Sequence, residues 1–303
     1  MSFFTSLSPS GNSLAVSAKL GELDALYLDA TAASDDLTDK NCNPNYFRIG
    51  IRESSQVQMW RELAQRNGVK TFDLMMADMA AAHDASKRFA ALLPSFGGTV
   101  ARELSTPLAT TDHGSNIAQL LTKPAEAVVM YMPGSAGIGP AKQQAPFGLF
   151  DKYKLVLSAS MVNEILVTGQ GDTTAGVWST QSYFWTLPGS ANDDFVKAFE
   201  ARFTHKPSYL AADAYLAFML VNEAIQKAKS TDVAALRGAL NGLNLDTLVG
   251  PVEMRAADHQ LIRPMVVVQA VKTAPGKAAI AMRSVESVAR TTLPPSAECK
   301  MAN

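Results

Sequence analysis

Four histidines, two cysteines and a few serine- or glycine-bearing turns are the groups in this chain whose types suit catalysis or metal binding, and their spacing limits what they can do. His83, His113, His205 and His259 form neither HxxxH nor HExxH, so no pair falls on one helical face to share a metal. Cys42 and Cys299 lie near opposite ends of the sequence, outside the short spacings of zinc knuckles and redox CxxC pairs. One disulfide or two free thiols remain open. Gly134-Ser135-Ala136-Gly137 follows an apolar run but misses GxSxG, the pattern that strains a serine into a nucleophile elbow. Gly134, Gly137 and Gly139 read GxxGxG rather than GxGxxG, and no acid follows a second strand at the distance a ribose needs. An enzyme would require a titratable pair with perturbed proton affinities, and the sequence offers no convincing one. No enzyme, metal or cofactor is expected.

Ser8-Pro9-Ser10-Gly11-Asn12-Ser13 is a better candidate. It places small polar residues between a strand end and the helical run Leu14, Val16, Ala18 and Leu20, where first-turn amides and the helix dipole suit a carboxylate.

The elements that would position these groups alternate. Strand candidates are 25–28, 46–51, 70–76, 99–104, 126–132, 154–157, 177–185 and 265–271, short runs rich in β-branched or aromatic residues. Between them, Val57, Trp60, Leu63 and Ala64 share a helical face that starts after Ser54-Ser55 and stops at Gly68. Phe89, Leu92 and Leu93 make a second stripe, and Phe195, Phe199 and Phe203 a third; such stripes are core. Strand–helix alternation implies parallel sheets with right-handed crossovers. After Val177 the order changes to three helical stretches, near 192–204, 209–229 and 231–241, then a late strand. A chain crossing between two lobes explains that switch; one simple sheet does not.

Composition agrees with two cores: 303 residues, 47% hydrophobic and 18% charged. A net charge of −1 supplies no basic field for nucleic acid or an anionic membrane. No apolar run approaches a bilayer span, and Met1-Ser2-Phe3-Phe4 lacks the charged-then-apolar pattern of a signal peptide.

The stretch from Ala32 to Arg48, a small-residue turn, a cysteine loop and an extended Tyr46-Phe47-Arg48, resembles the first lobe-to-lobe crossover of the leucine/isoleucine/valine-binding protein family. Ala77-Asp78, His83-Asp84, Lys142-Gln143, Phe147-Gly148 and Arg202-Phe203 add local matches, and the resemblance covers nearly the whole chain. It implies a type I periplasmic-binding-protein fold: α/β, two-lobed, with parallel sheets flanked by helices. Crossings are expected near 48–52, 182–186 and 250–263. The first lobe would hold 1–50 and 186–250, the second 53–180 and 255–303. Residues 1–12 look like a third strand entering its helix, so an N-terminally truncated chain with an incomplete first lobe and exposed apolar edges is expected.

The resemblance further implies an extracytoplasmic receptor of an ABC importer that closes on a small solute and is read by permease subunits, with its export signal lost along with the missing N-terminus. In the branch that binds aromatic carboxylates, a loop cysteine pairs with one near the C-terminus, and Cys42 and Cys299 match both. A serine and a threonine in successive turns hold the ligand carboxylate in the family. Ser10 matches the first; the second falls on Ala33 or Ser34, of which only Ser34 keeps the hydroxyl. On the opposite wall a family tyrosine aligns with Met79, the glycine after it with Ala82, a polar position with Ala136, and the acid that pairs with an ammonium with Ala159 or its neighbours. The ligand should then lack an α-ammonium unless Glu164 reaches it. The expected site is Ser10 and Ser34 facing Met79, Met132 and Asn163, with ring contacts from Tyr183, for an organic carboxylate with an apolar or aromatic body. A branched-chain amino acid receptor and a cytoplasmic ligand-sensing regulator are the alternatives.

Overall fold

The computed structural model describes residues 2–159 and 161–301, with only the backbone of Ala80; Met1, Ala302, Asn303 and Ser160, a neighbour of Ala159, lie outside the described residues. By their internal contacts, Met1–Ser55, Gln181–Met265 and Glu286–Asn303 form one unit, and Gln56–Thr180 with Val266–Val285 the other.

In chain order, β1 (Phe3–Ser6), α1 (Ser10–Ser17), α2 (Leu20–Leu23), β2 (Leu26–Asp29) and β3 (Tyr46–Arg48) open the first unit, and α3 (Glu53–Arg66) follows. The second unit runs through β4 (Thr71–Ala77), α4 (Ala80–Leu92), β5 (Thr99–Thr106), α5 (Gly114–Thr122), β6 (Ala127–Tyr131), α6 (Ile138–Gln144), β7 (Leu155–Ser158), α7 (Val167–Gln170) and β8 (Trp178–Gln181). Helices α8 (Ser190–Arg202), α9 (Tyr209–Ala228) and α10 (Val233–Leu240) then return to the first unit with β9 (Asn244–Thr247), β10 (Gly250–Met254) and β11 (Leu261–Ile262). Strands β12 (Met265–Ala274) and β13 (Lys277–Glu286) go to the second, and α11 (Val288–Thr291) lies in the tail.

The second unit is a seven-stranded sheet in the order β13-β12-β8-β7-β6-β4-β5, with β4 to β8 parallel. Interior strand β4, Thr-Phe-Asp-Leu-Met-Met-Ala, is buried on both faces from Phe72 onward, as parallel pairing on both sides requires. Edge strand β5 alternates exposed and half-buried residues instead. Trp60 and Phe72 each meet the Phe89 ring edge-on, with centroids 5.7 and 5.1 Å away, so two of the expected stripes join in one core. Buried Asp73, near the start of β4, is fully engaged: Arg102 Nε, the Tyr153 hydroxyl and the Ala125 amide all donate to it.

The first unit carries a parallel sheet, β1-β2-β3, and a small antiparallel one, β11-β10-β9. Tyr27, Tyr46, Leu20 and Leu37 form its buried cluster, with Phe4, Leu14 and Val16 packed against it. Arg263 pairs with Asp213 at 2.6 Å in full burial, and Arg52 with Asp35 and Asp39 at 2.9 Å. Cys42 and Cys299 are joined in a disulfide, their Cα atoms 5.5 Å apart.

Several expectations need correction. The tail belongs with the first unit, not the second, because Cys299 is bonded to Cys42 and Leu293 O accepts from Arg255. Residues 255–265 also stay there: the Arg48 amide donates to His259 O, holding that hairpin against β3. Strands β9, β10, β11 and β13 were not expected; the first three are short and carry mixed polarity that period-two reading misses. Helix α3 begins at Glu53 rather than after Ser55, and Ser54 Oγ donates to Asp35 instead of capping.

Candidate functional site

In the first unit, β1 and β2 are parallel neighbours, so the turns after them open at the same end of the sheet. Ser10 is the first residue of α1, and Ser34 precedes the short 3-10 turn Asp35–Thr38. The Ser34 amide donates to Ser10 Oγ at 3.1 Å, so the two turns are in direct contact. The Ser34 amide is therefore engaged; what this pair offers a ligand is two hydroxyl groups and the first amides of α1, which stand outside the helical ladder as in any helix. Ala33 contributes backbone only, and its carbonyl is taken by Arg48 Nη1 at 3.0 Å and the Glu53 amide at 2.8 Å.

Two residues that motif reading passed over shape this turn. Asp29, at the end of β2, accepts from the Thr31 and Ala32 amides and the Tyr46 hydroxyl. Arg48, fully buried, donates to the carbonyls of Ala33 and Ser34 and to Thr38 Oγ1. The signal was present in the sequence: an arginine closing the apolar run Tyr46-Phe47 must find acceptors. On the other side, the Tyr27 hydroxyl is hydrogen-bonded to Ser6 Oγ and Ser13 Oγ at 2.5 and 2.8 Å, and burial raises its pKa to about 12. A protonated tyrosine thus ties the end of β1 to the first turn of α1 throughout the physiological range.

In the second unit the strand order reverses about β4: the chain leaves β4 for β5 on one side and β6 for β7 on the other. The crevice beyond the carboxyl ends of β4 and β6 is therefore a topological switch point, where open α/β sheets take their ligands. Met79 follows β4, extended and half-buried at the start of α4. Met132 follows β6 and is buried; its carbonyl lies so near Gly137 that a Cβ there would come within 3.0 Å. Both methionines thus stand at the switch point. Asn163 is in the loop after β7, and its Oδ1 accepts from the Ile165 and Leu166 amides at 3.0 and 2.9 Å, fixing that turn. Glu164 beside it is different: both carboxylate oxygens are buried with no donor from another residue, and burial raises its pKa to about 7, with only its own backbone opposing the shift.

Tyr183 is elsewhere, in the first unit. It is fully buried, donates its hydroxyl to Asn192 Oδ1 at 2.7 Å and meets Phe195 edge-on, so it packs the fold there. The histidines are dispersed: His83 faces Asp78 at 2.8 Å on the surface, His259 stacks on Phe47 with burial lowering its pKa to about 4, and no metal-ligand cluster forms among the described residues. A cavity of about 20 Å³ bounded by Arg52, Arg255, Gln260 and Arg263 has room for one water, not a solute. No helix among the described residues is long and apolar enough to cross a membrane.

Comparison with solved structures gives a shared fold. The leucine-, isoleucine-, valine-, threonine- and alanine-binding protein from Brucella ovis, in a closed conformation, superposes with a TM-score of 0.88 at 17% identity, covering 99% of this chain and 81% of that one. A solute-binding protein of an ABC transporter from R. palustris, in complex with 4-hydroxybenzoate, gives 0.84 at 20% identity over 94% and 78%. Its counterpart in complex with benzoate, also from R. palustris, gives 0.82 at 19% over the same shares. The family model for periplasmic binding proteins matches residues 2–276, nearly the whole described chain. With that span added to the topology and the switch-point turns, the chain belongs to the periplasmic binding protein family.

Proposed function

We propose that this chain is an extracytoplasmic solute receptor of an ABC importer that binds a small organic carboxylate with an apolar or aromatic body. The single observation behind this reading is the contact between the Ser10 and Ser34 turns. It gathers two hydroxyl groups and a helix N-terminus at one point, a set of donors suited to an anion. Met79 and Met132 supply adaptable apolar surface at the switch point of the second unit. Structurally similar proteins are in complex with benzoate or 4-hydroxybenzoate, or are named for binding leucine, isoleucine, valine, threonine and alanine, all of which carry a carboxylate. The ligand selects the form to which it binds more tightly, and that form is what permease subunits recognise. No bond is made or broken.

Calorimetry with benzoate, 4-hydroxybenzoate and leucine tests the reading. At least one should bind with Kd in the micromolar range, and Ser34→Ala should weaken it by about tenfold, the worth of one hydrogen bond to a charged acceptor. Failure of every carboxylate to bind at about 1 mM would reject the receptor reading.

A further inference from the structure

The open edge of the first unit's parallel sheet lacks the devices that normally protect an edge strand. In the order β1-β2-β3, β1 is paired on the β2 side, and no described residue pairs with its other side. The Ser2 and Ser6 carbonyls accept from the Leu26 and Ala30 amides, so the even-numbered residues of β1 face β2 and the backbone groups of Phe3 and Thr5 point outward. Phe3-Phe4-Thr5-Ser6 contains no charge and no proline to discourage a neighbour. Other edges are guarded. Strand β5 carries Arg102 and Glu103, β13 carries Lys277, Arg283 and Glu286, β9 carries Asp246, and β11 is two residues long. Strand β3 is covered where the Arg48 amide donates to His259 O.

The surface beside this edge is apolar on both faces. Phe3 meets Phe218 of α9 edge-on, with ring centroids 6.3 Å apart, and Phe218 and Leu7 are each 54% exposed. On the opposite face Phe4 stacks on Tyr27 at 4.7 Å. We propose that β1 is the docking strand for a second copy of this chain, the two β1 edges pairing antiparallel about a two-fold axis at Phe4. In that register the amide and carbonyl of Phe3 bond the carbonyl and amide of the partner's Thr5, and the axis repeats the exchange. Phe3 opposite Thr5 is an aromatic and β-branched pair, and no like charges meet. Directly opposed residues share a face, so the Phe218 surfaces of the two copies lie side by side over the seam while Phe4 meets Phe4 beneath it. A foreign peptide would have to supply matching apolar residues; a second copy brings them. Pairing joins two three-stranded sheets into one and leaves neither β1 open, so assembly stops at the dimer. The inference is independent of the receptor reading above.

So short a seam belongs to the weak class of interfaces, with Kd in the micromolar range. Sedimentation velocity of the 303-residue chain from about 1 to about 200 µM should show monomer passing to dimer and nothing larger. Amide exchange at Phe3 and Thr5 should slow over the same range. Thr5→Pro removes an outward N–H that β2 does not use, and should raise the Kd about tenfold or more with the melting temperature near that of wild type. Phe218→Glu, at an exposed helix position, sets two carboxylates against each other at the seam and should have the same effect; it is the deciding variant if Thr5→Pro does not fold. A chain that stays monomeric at every concentration, a dimer that survives these substitutions, or growth beyond two copies overturns the proposal.

Discussion

At the scale of single residues, the polar groups of this protein divide by whether their partners are inside the fold. Arg48 and Asp29 each place two hydrogen bonds on the backbone of one turn, and so convert a flexible Ala-Ala-Ser sequence into a fixed shape. Glu164 is the opposite case, and it has a consequence for stability that is independent of any ligand. Its pKa is about 7 in the folded protein against 4.5 ordinarily. Below about pH 4.5 both states hold the proton and the group is neutral in its effect; between 4.5 and 7 the unfolded chain releases the proton while the folded one keeps it, so stability falls as pH rises. The full penalty, on the order of 3 kcal/mol, is present above pH 7. Urea unfolding of wild type and Glu164→Gln across pH 4.5 to 8 should show the variant gaining relative stability as pH climbs. Parallel curves would mean the carboxyl is solvated.

Elements set where these residues can act, and here one glycine is a sensitive point. Gly50 follows β3, and a Cβ on it would come within 2.8 Å of the Ala30 carbonyl and 3.4 Å of Thr31 Cα, both backbone atoms. Gly50→Ala must therefore displace the 30–34 turn, costing about 1–3 kcal/mol by overpacking and weakening carboxylate binding through Ser34. A variant with wild-type affinity and melting temperature would show that the turn can yield. The elements themselves differ in how readable they are. Strand β4 and helix α3 announce themselves, one by the apolar run Leu74-Met75-Met76-Ala77 and the other by Val57, Trp60, Leu63 and Ala64 on one face. The antiparallel strands β9 to β11 do not, because runs of four, five and two residues are too short for alternation to stand out. Ser10 and Ser34 could be found as turn residues, but their mutual hydrogen bond belongs to the β1–β2 register, which no local pattern encodes. Tyr183 illustrates the reverse: aromatic neighbours suggest a binding surface, whereas its hydroxyl is held by Asn192, nine positions away.

For the molecule as a whole, the chain passes between its units four times, after Ser55, Thr180, Met265 and Val285. The last passage brings the tail back to where the Cys42–Cys299 bridge holds it. The family resemblance located this bridge, while the residues alone left free thiols open; the lobe assignment of the tail followed sequence order and so missed what the bridge enforces. Closing a loop of 257 residues restricts the unfolded chain, worth about 5 kcal/mol in the chain-entropy picture. Reduction should accordingly lower the melting temperature by several degrees, measured by circular dichroism with and without a thiol reagent. An unchanged midpoint would show that the tail adds nothing to the fold.

That bridge has a further effect, on what a cut chain looks like. Both units and all four passages lie largely within the span from Cys42 to Cys299. Any single cleavage in that span by a protease therefore yields two fragments that remain one covalent molecule. On a denaturing gel such a nicked protein would run as an intact chain until a reducing agent splits it.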